Sequence, residues 1–305
     1  MCQSWPIVKI SIVKSSEFMS STIHITSGDC AGSILDKSGV GGEVFVWHDI
    51  LYEGPRKPGW PDDDTLQGRA QFLEHATGGG LSRDLVLKTL KAQYCKLEEV
   101  NKYGELVLWF DACLFDQTML SHVLACLRIL GNQKAELICV DSFPGIIPYH
   151  GLGQLSPEQL ASVYDRRQPV TEAQFSFAER VDNAFALQDE NEFVKLSKLA
   201  DAPLPWVPSA VMRWLQEKPD VVTGLGRLET LALSALHSGC RTPAEIFKHV
   251  SGNDTPPQFW GDTTLWAKIN ALADRKPPLV LIEGPDKRLP QWEGKSELKL
   301  FRVRI

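Results

Sequence analysis

Carboxylates dominate the first 116 residues of this chain. Asp29, Asp49 and Asp111 each close an apolar run of strand length (ThrIleHisIleThrSerGlyAsp, ValPheValTrpHisAsp, LeuValLeuTrpPheAsp), and Asp141 closes a fourth, LeuIleCysValAsp. If those runs are parallel strands of one sheet, all four carboxylates emerge on the edge where open α/β sheets bind their ligands. Oxygen donors of this kind suit hard cations such as Mg²⁺ or Mn²⁺, whose coordination substrate phosphates complete. A metal so held activates water and neutralises a phosphoryl or carboxylate oxygen. The expected metal ligands are Asp29, Asp49 and Asp116, with Asp111 and the acid–base candidate His48 beside them and Glu53 in the following loop. Helix capping competes with this reading, because Asp is a favoured N-cap and Asp29 and Asp111 each precede an expected helix. Asp141, before SerPheProGly, reads as a turn residue.

Histidine is the residue type suited to proton transfer near neutrality, which makes His48 an acid–base candidate. It adjoins Asp49, yet neighbours in a strand point to opposite faces, so the two share a site only if the strand has already ended. SerGlyAspCysAlaGlySer (27–33) has the composition of a phosphate-cradling turn at a helix start, which makes Ser27 and Gly28 ligand-binding candidates. It is not a P-loop, because GlyLys(Ser/Thr) is missing. Position 36 is Asp rather than the arginine a phosphatase-type Cys30 would need, and no GxSxG elbow surrounds Ser27, which disfavours a serine hydrolase. Arg69 stands out among the nearby cations Arg56, Lys57 and Arg69 as an anion clamp, and Gln117 could aim its amide at a ligand.

The elements that must position these residues follow from apolar spacing. Strands are expected at 22–26, 44–47, 106–110 and 136–140, and helices near 30–36, 65–76, 82–99 and 116–130. Alternating strands and helices make a parallel, doubly wound sheet the economical fold class, α/β, over residues 19–150. Residues 151–224 read as a helical linker region, with Ser156 and Thr171 as caps and extended backbone at ProLeuProTrpValPro (203–208). Residues 225–305 carry three helix patterns, the third capped by Asp262, and then two short β runs at 279–282 and 298–305. Together these read as a winged-helix-like domain.

Composition is that of an ordinary globular protein, with 43% hydrophobic and 23% charged residues. The net charge of -6 argues against a wholesale nucleic-acid coat. The stretch from Leu225 has 12 Lys/Arg against 9 Asp/Glu, too small a surplus to mark a nucleic-acid footprint. Seven cysteines, none at CxxC spacing, point to a reducing, cytoplasmic setting without disulfides or structural zinc. No apolar run is long enough to span a membrane. Residues 1–18 read as a disordered or mis-started leader, with Met19 as a natural start.

HisIleThrSerGlyAsp, TrpHisAspIleLeuTyrGluGlyPro and LeuValLeuTrpPheAspAlaCysLeuPheAspGln together resemble the bacterial family called domain of unknown function 1835. GlyLeuGlyGlnLeuSerProGluGln, LeuGlyArgLeuGluThr and PheTrpGlyAspThrThrLeuTrp are similar to its helical and winged-helix tail. The resemblance implies Asp29, Asp49, Gly54, Pro55, Asp116 and Gln117 as signature positions, with Cys113 a departure, and it implies no activity. Two functions follow as expectations. The first is a small-molecule-binding or divalent-metal-assisted hydrolase or phosphotransfer-type protein with a phosphate-bearing ligand at the strand ends. The second is a ligand-sensing regulator that binds DNA through its third C-terminal helix, where Lys268, Asn270 and Arg275 are the available polar side chains. Asp262 at that helix start would face phosphates, so a packing or dimerisation module is the better reading.

Overall fold

The computed structural model describes residues 21–254, 261–292 and 297–305. The expected leader and the PheTrp pair that opens the PheTrpGlyAspThrThrLeuTrp motif lie outside the described residues.

The first half is a sheet layered between helices. In chain order it runs β1 (Thr22–Ser27), α1 (Asp29–Lys37), β2 (Glu43–Trp47), α2 (Asp63–Ala76), α3 (Arg83–Glu98), β3 (Glu105–Asp111), α4 (Leu114–Ile129) and β4 (Ala135–Val140). After a short helix, α5 (Pro157–Ala161), a two-residue strand, β5 (Gln168–Pro169), closes the sheet. Strand order is β2-β1-β3-β4-β5, parallel throughout except for β5. β5 carries no apolar signal and pairs through two residues only, which is why apolar patterning misses it.

Both faces of the sheet are covered, as its continuous apolar runs require. Ile23, Ile25, Leu106, Leu108 and Phe110 pack into the core shared with α2, α3 and α4. Val107, Trp109, Ile138 and Val140 pack on the other face against Ala31 and Leu35 of α1 and Leu152, Leu155 and Leu160 beyond β4. The chain leaves β1 toward β2 on one side and returns past it to β3 on the other, so β1 and β3 flank the topological switch point.

The second half is helical: α6 (Glu172–Leu187), α7 (Glu190–Leu196), α8 (Val207–Leu215), α9 (Arg227–His237), α10 (Pro243–Asn253) and α11 (Asp262–Asp274). Ser156, Thr171 and Thr242 each close a capping box with the Gln or Glu three residues on. Two expectations fail locally. The 203–208 segment is not extended throughout, because α8 starts at Val207 with Pro208 in its first turn, where a missing N–H costs nothing. The N-cap of α11 is Gly261, and Asp262 is its first helical residue.

The chain ends in an antiparallel pair, β6 (Leu281–Glu283) and β7 (Arg302–Arg304). The helix that the regulator alternative would lay on DNA is largely covered. Along α11 only Ala271 and Asp274 are exposed. Asn270 is buried, bonded to both the N–H and the carbonyl of Leu289 at 2.7 and 2.9 Å. Arg275 donates to the Gly224 carbonyl at 2.7 Å, and Lys268 is half-buried, its charge bearing on Glu53. Gln291 donates to the Ala76 carbonyl at 2.8 Å, and Trp292 lies against Gly80, whose missing Cβ would sit 2.2 Å from the Trp292 Cβ. The α11 helix and the Gln291–Trp292 segment therefore dock on α2, the turn after it and the loop after β2.

Candidate functional site

The strand register brings the sequence-predicted residues to one level. Ser27 pairs with Trp47, and Asp111 with Val140, so Gly28, His48 and Asp111 leave the ladder together at the carboxyl edge. What each side chain does there differs, and it divides the set into a polar group at the edge and two anchored walls.

The first wall is the loop after β2. Arg69, on α2, is buried and donates to the Asp49 carboxylate, to the Ile50 carbonyl at 2.6 Å and to the Glu53 carbonyl at 2.7 Å. Asp49 Oδ1 also accepts from its neighbour's N–H, Ile50, at 2.7 Å. Asp49, expected as a metal ligand, and Arg69, expected as an anion clamp, are thus each other's partners in this arrangement. Glu53 is half-buried and its pKa is raised, chiefly by that burial, against the pull of Lys268 and Arg69. A second buried pair holds the same loop from below. Arg56 donates to the carboxylate and carbonyl of Asp182 on α6 and to the Leu51 carbonyl, and the Gly59 N–H donates to Asp182 Oδ2 at 2.7 Å. His122 bridges Asp182, at 3.0 Å, to the Tyr94 hydroxyl, at 2.7 Å. Burial alone would raise the Asp182 pKa, but the His122 and Arg56 charges outweigh it and hold the carboxyl below its ordinary value. Sequence reasoning missed this network. Its one signal was an acid on the apolar face set by Phe175, Ala178 and Phe185 at helical spacing.

The second wall is the segment between β4 and α5, and Asp111 anchors it. Its oxygens accept from the Tyr149 hydroxyl and the Leu152 N–H, both at 2.8 Å. Gly151 (φ 146°) must be glycine here, since a Cβ would stand 2.5 Å from Asp111 Oδ2. Burial, and then the Asp116 charge, push the Asp111 pKa well up. Gln117 donates to the Asp111 carbonyl at 2.7 Å, so its amide holds backbone rather than reaching outward. Asp141 is a turn residue bonded to Ser142 and Trp206.

Between the walls lie Ser27, Gly28, Asp29, His48 and Asp116. Ser27 Oγ donates to Asp116 Oδ1 at 2.5 Å, and the Asp111 N–H donates to Asp116 Oδ2 at 2.6 Å. Burial raises the Asp116 pKa to about 6, against the lowering effect of those two bonds. Gly28 (φ 72°) turns β1 directly into α1, so the N-cap of α1 is Gly28 rather than Asp29 and no side chain caps the helix. The Asp29 carboxylate instead meets His48 Nε2 at 2.8 Å, with side-chain exposures of 20% and 15%. The His48 N–H is held by Gln93 at 2.6 Å, which fixes the strand end that aims this ring. His48 therefore pairs with Asp29 across the strands, and not with its neighbour Asp49, because Asp49 turns to the opposite side toward α2.

Asp29, Asp49 and Asp116 each have a different protein partner. Among the described residues, no group of three or more His, Cys, Asp or Glu side chains is arranged to hold a metal ion. Among the described residues no helix is long and apolar enough to cross a membrane. In comparisons with known proteins, no family model matches the chain and no curated protein matches it.

Proposed function

We propose that this chain is a small-molecule hydrolase whose site is the crevice at the β1–β3 switch point, with His48 as its acid–base group and Asp29 as the carboxylate that orients it. One observation carries the reading: an imidazole–carboxylate pair at 2.8 Å, partly open to solvent, at the edge where open α/β sheets place ligands. A carboxylate on one ring nitrogen fixes tautomer and orientation and stabilises the imidazolium formed when the base takes a proton. The two walls support the reading, because buried ion pairs anchor the loop after β2 and hydrogen bonds to Asp111 anchor the segment after β4, as preorganised chemistry requires. No step is routed through Mg²⁺ or Mn²⁺, since Asp49, one of the three ligands such an ion would use, is committed to Arg69.

The regulator reading draws less support. A recognition helix presents polar side chains to the groove, whereas α11 turns Asn270 inward and leaves Ala271 and Asp274 outside. The test is turnover of p-nitrophenyl acetate, butyrate and phosphate by the full chain beside His48→Gln. Hydrolysis of at least one substrate, lowered by roughly 10²–10⁴ in the variant at unchanged melting temperature, is expected. Equal rates in both proteins would overturn the proposal.

A further inference from the structure

We propose that Ser27 is the nucleophile of this site, that Asp116 takes its proton, and that the atom attacked is the acyl carbon of a neutral ester rather than a phosphorus. The inference rests on the hydrolase reading above and names its nucleophile and substrate class.

The geometry is that of an activated hydroxyl. Ser27 Oγ lies 2.5 Å from Asp116 Oδ1, and the Asp111 N–H at 2.6 Å on Oδ2 locks the carboxylate with its other oxygen on the serine. Asp116 is 2% exposed and Ser27 8%, so the pair is buried, and Ser27 is the member beside the partly exposed Asp29–His48 pair in sequence. The chain turns at Gly28 from β1 into α1, which places Ser27 at the mouth of a nine-residue helix that carries no side-chain cap. First-turn amides and the helix dipole there favour an oxyanion formed next to Ser27. The GxSxG elbow is absent, but its two functions are present: a tight strand-to-helix turn under the serine and a base on its hydroxyl. The raised pKa of Asp116, about 6 through burial, suits a base that works near neutrality.

Charge selects the electrophile. Asp116 touches the serine and Asp29 and Asp111 lie at the same sheet edge, while the guanidiniums of the neighbouring wall, Arg56 and Arg69, are held by Asp182 and Asp49. A phosphate dianion would meet these carboxyl groups without a cation to offset it, whereas an ester enters neutral and develops one negative charge, at the α1 terminus. In the first step the Ser27 Oγ–carbon bond forms, the carbonyl electron pair moves to oxygen and the hydroxyl proton passes to Asp116. Collapse of the intermediate breaks the bond to the alkoxide, which takes that proton and leaves as the alcohol. Water then adds to the acyl carbon, giving a proton to His48. The Ser27–acyl bond breaks, Ser27 recovers the proton from His48, and the carboxylic acid departs.

The test uses p-nitrophenyl acetate as the probe with the full chain, Ser27→Ala, Ser27→Cys and Asp116→Asn, each checked for an unchanged fold by circular dichroism and melting temperature. The expected results are a nitrophenolate burst and an acetyl group on the Ser27 peptide after acid quench. The burst falls roughly 10³-fold or more in Ser27→Ala, and Ser27→Cys carries a trapped thioester. Acylation slows by about 10²-fold or more in Asp116→Asn. Hydrolysis that is lost in His48→Gln but intact in Ser27→Ala, with no acetyl on Ser27, would overturn the nucleophile and leave the strand-end site standing. Rates unaffected by either variant would overturn both.

Discussion

Replacing Asp49 by Asn should destabilise the protein strongly, and the structure sets the size of the effect. Arg69 is 2% exposed and its guanidinium is charged at any working pH. Its counter-charge is the Asp49 carboxylate, with the Ile50 and Glu53 carbonyls as further acceptors. The Asn side chain keeps the volume and one acceptor oxygen but removes the charge, leaving a buried cation against neutral dipoles. Breaking a buried pair from one side costs about 3–5 kcal/mol. With an unfolding entropy of about 2.1 cal/mol/K per residue, a chain of this size loses about 5–8 °C in melting temperature. The assay is thermal unfolding of the wild type, Asp49→Asn, Arg69→Met and the double variant, read as a cycle. Asp49→Leu with Arg69→Met should recover most of the loss, because no charge is then stranded. If Asp49→Asn unfolds within a degree of the wild type, the pair does not hold the loop and the reading of Asp49 as a wall anchor fails.

Further outcomes follow from the same geometry. His24 is fully buried, accepts from the Trp109 indole N–H at 3.1 Å and faces the Gly41 carbonyl at 3.0 Å, and burial above all lowers its pKa. Its native pKa lies below the unfolded value of 6.5, so it contributes stability that is present above pH 6.5 and lost as pH falls toward the native value. Urea melts across pH 5–7 should show that component as the difference between the wild type and His24→Gln. Asp116 acts with the opposite sign: its pKa rises from 3.8 to about 6, so stability falls as pH climbs through that window, and Asp116→Asn should remove that component. Gly151→Ala forces a Cβ into Asp111 at 2.5 Å from a positive-φ position, and should cost about 1–3 kcal/mol by chemical denaturation. Adding Mg²⁺ or Mn²⁺ after EDTA should leave the melting temperature unchanged within a degree. A rise like the one expected from about 2.7 kcal/mol of linked binding would restore the carboxylate metal site.

Much of the scaffold was legible because it is local. The apolar runs at 22–26, 44–47, 106–110 and 136–140 fall inside β1 to β4, and the caps at Ser156, Thr171 and Thr242 mark the helix starts observed. The strand ends also located the edge where the candidate residues gather, since parallel pairing puts Gly28, His48 and Asp111 at one level whatever their side chains do. The roles of the aspartates were not legible. Asp49 and Asp29 look alike in sequence, yet one meets Arg69 from α2 and the other meets His48 from β2. Those partners are set by which way each chain turns on leaving the sheet. Asp182 reaches Arg56 across 126 residues of sequence, and no spacing rule connects them. The third C-terminal helix pattern, GlyAspThrThrLeuTrpAlaLysIleAsnAlaLeuAla, overlaps α11 apart from its cap, but its burial against the loop after β2 is a tertiary fact that periodicity does not carry.

The most direct test of the account is a double-mutant cycle on kcat/KM for p-nitrophenyl acetate hydrolysis with Asp29→Asn, His48→Gln and both together. Residues that act as a unit are non-additive. The account predicts a loss of about 10²-fold or more for each single variant, and a double variant no slower than His48→Gln alone. Independent, multiplying losses, or a full rate in either single variant at unchanged fold, would contradict a catalytic imidazole–carboxylate pair at the strand ends.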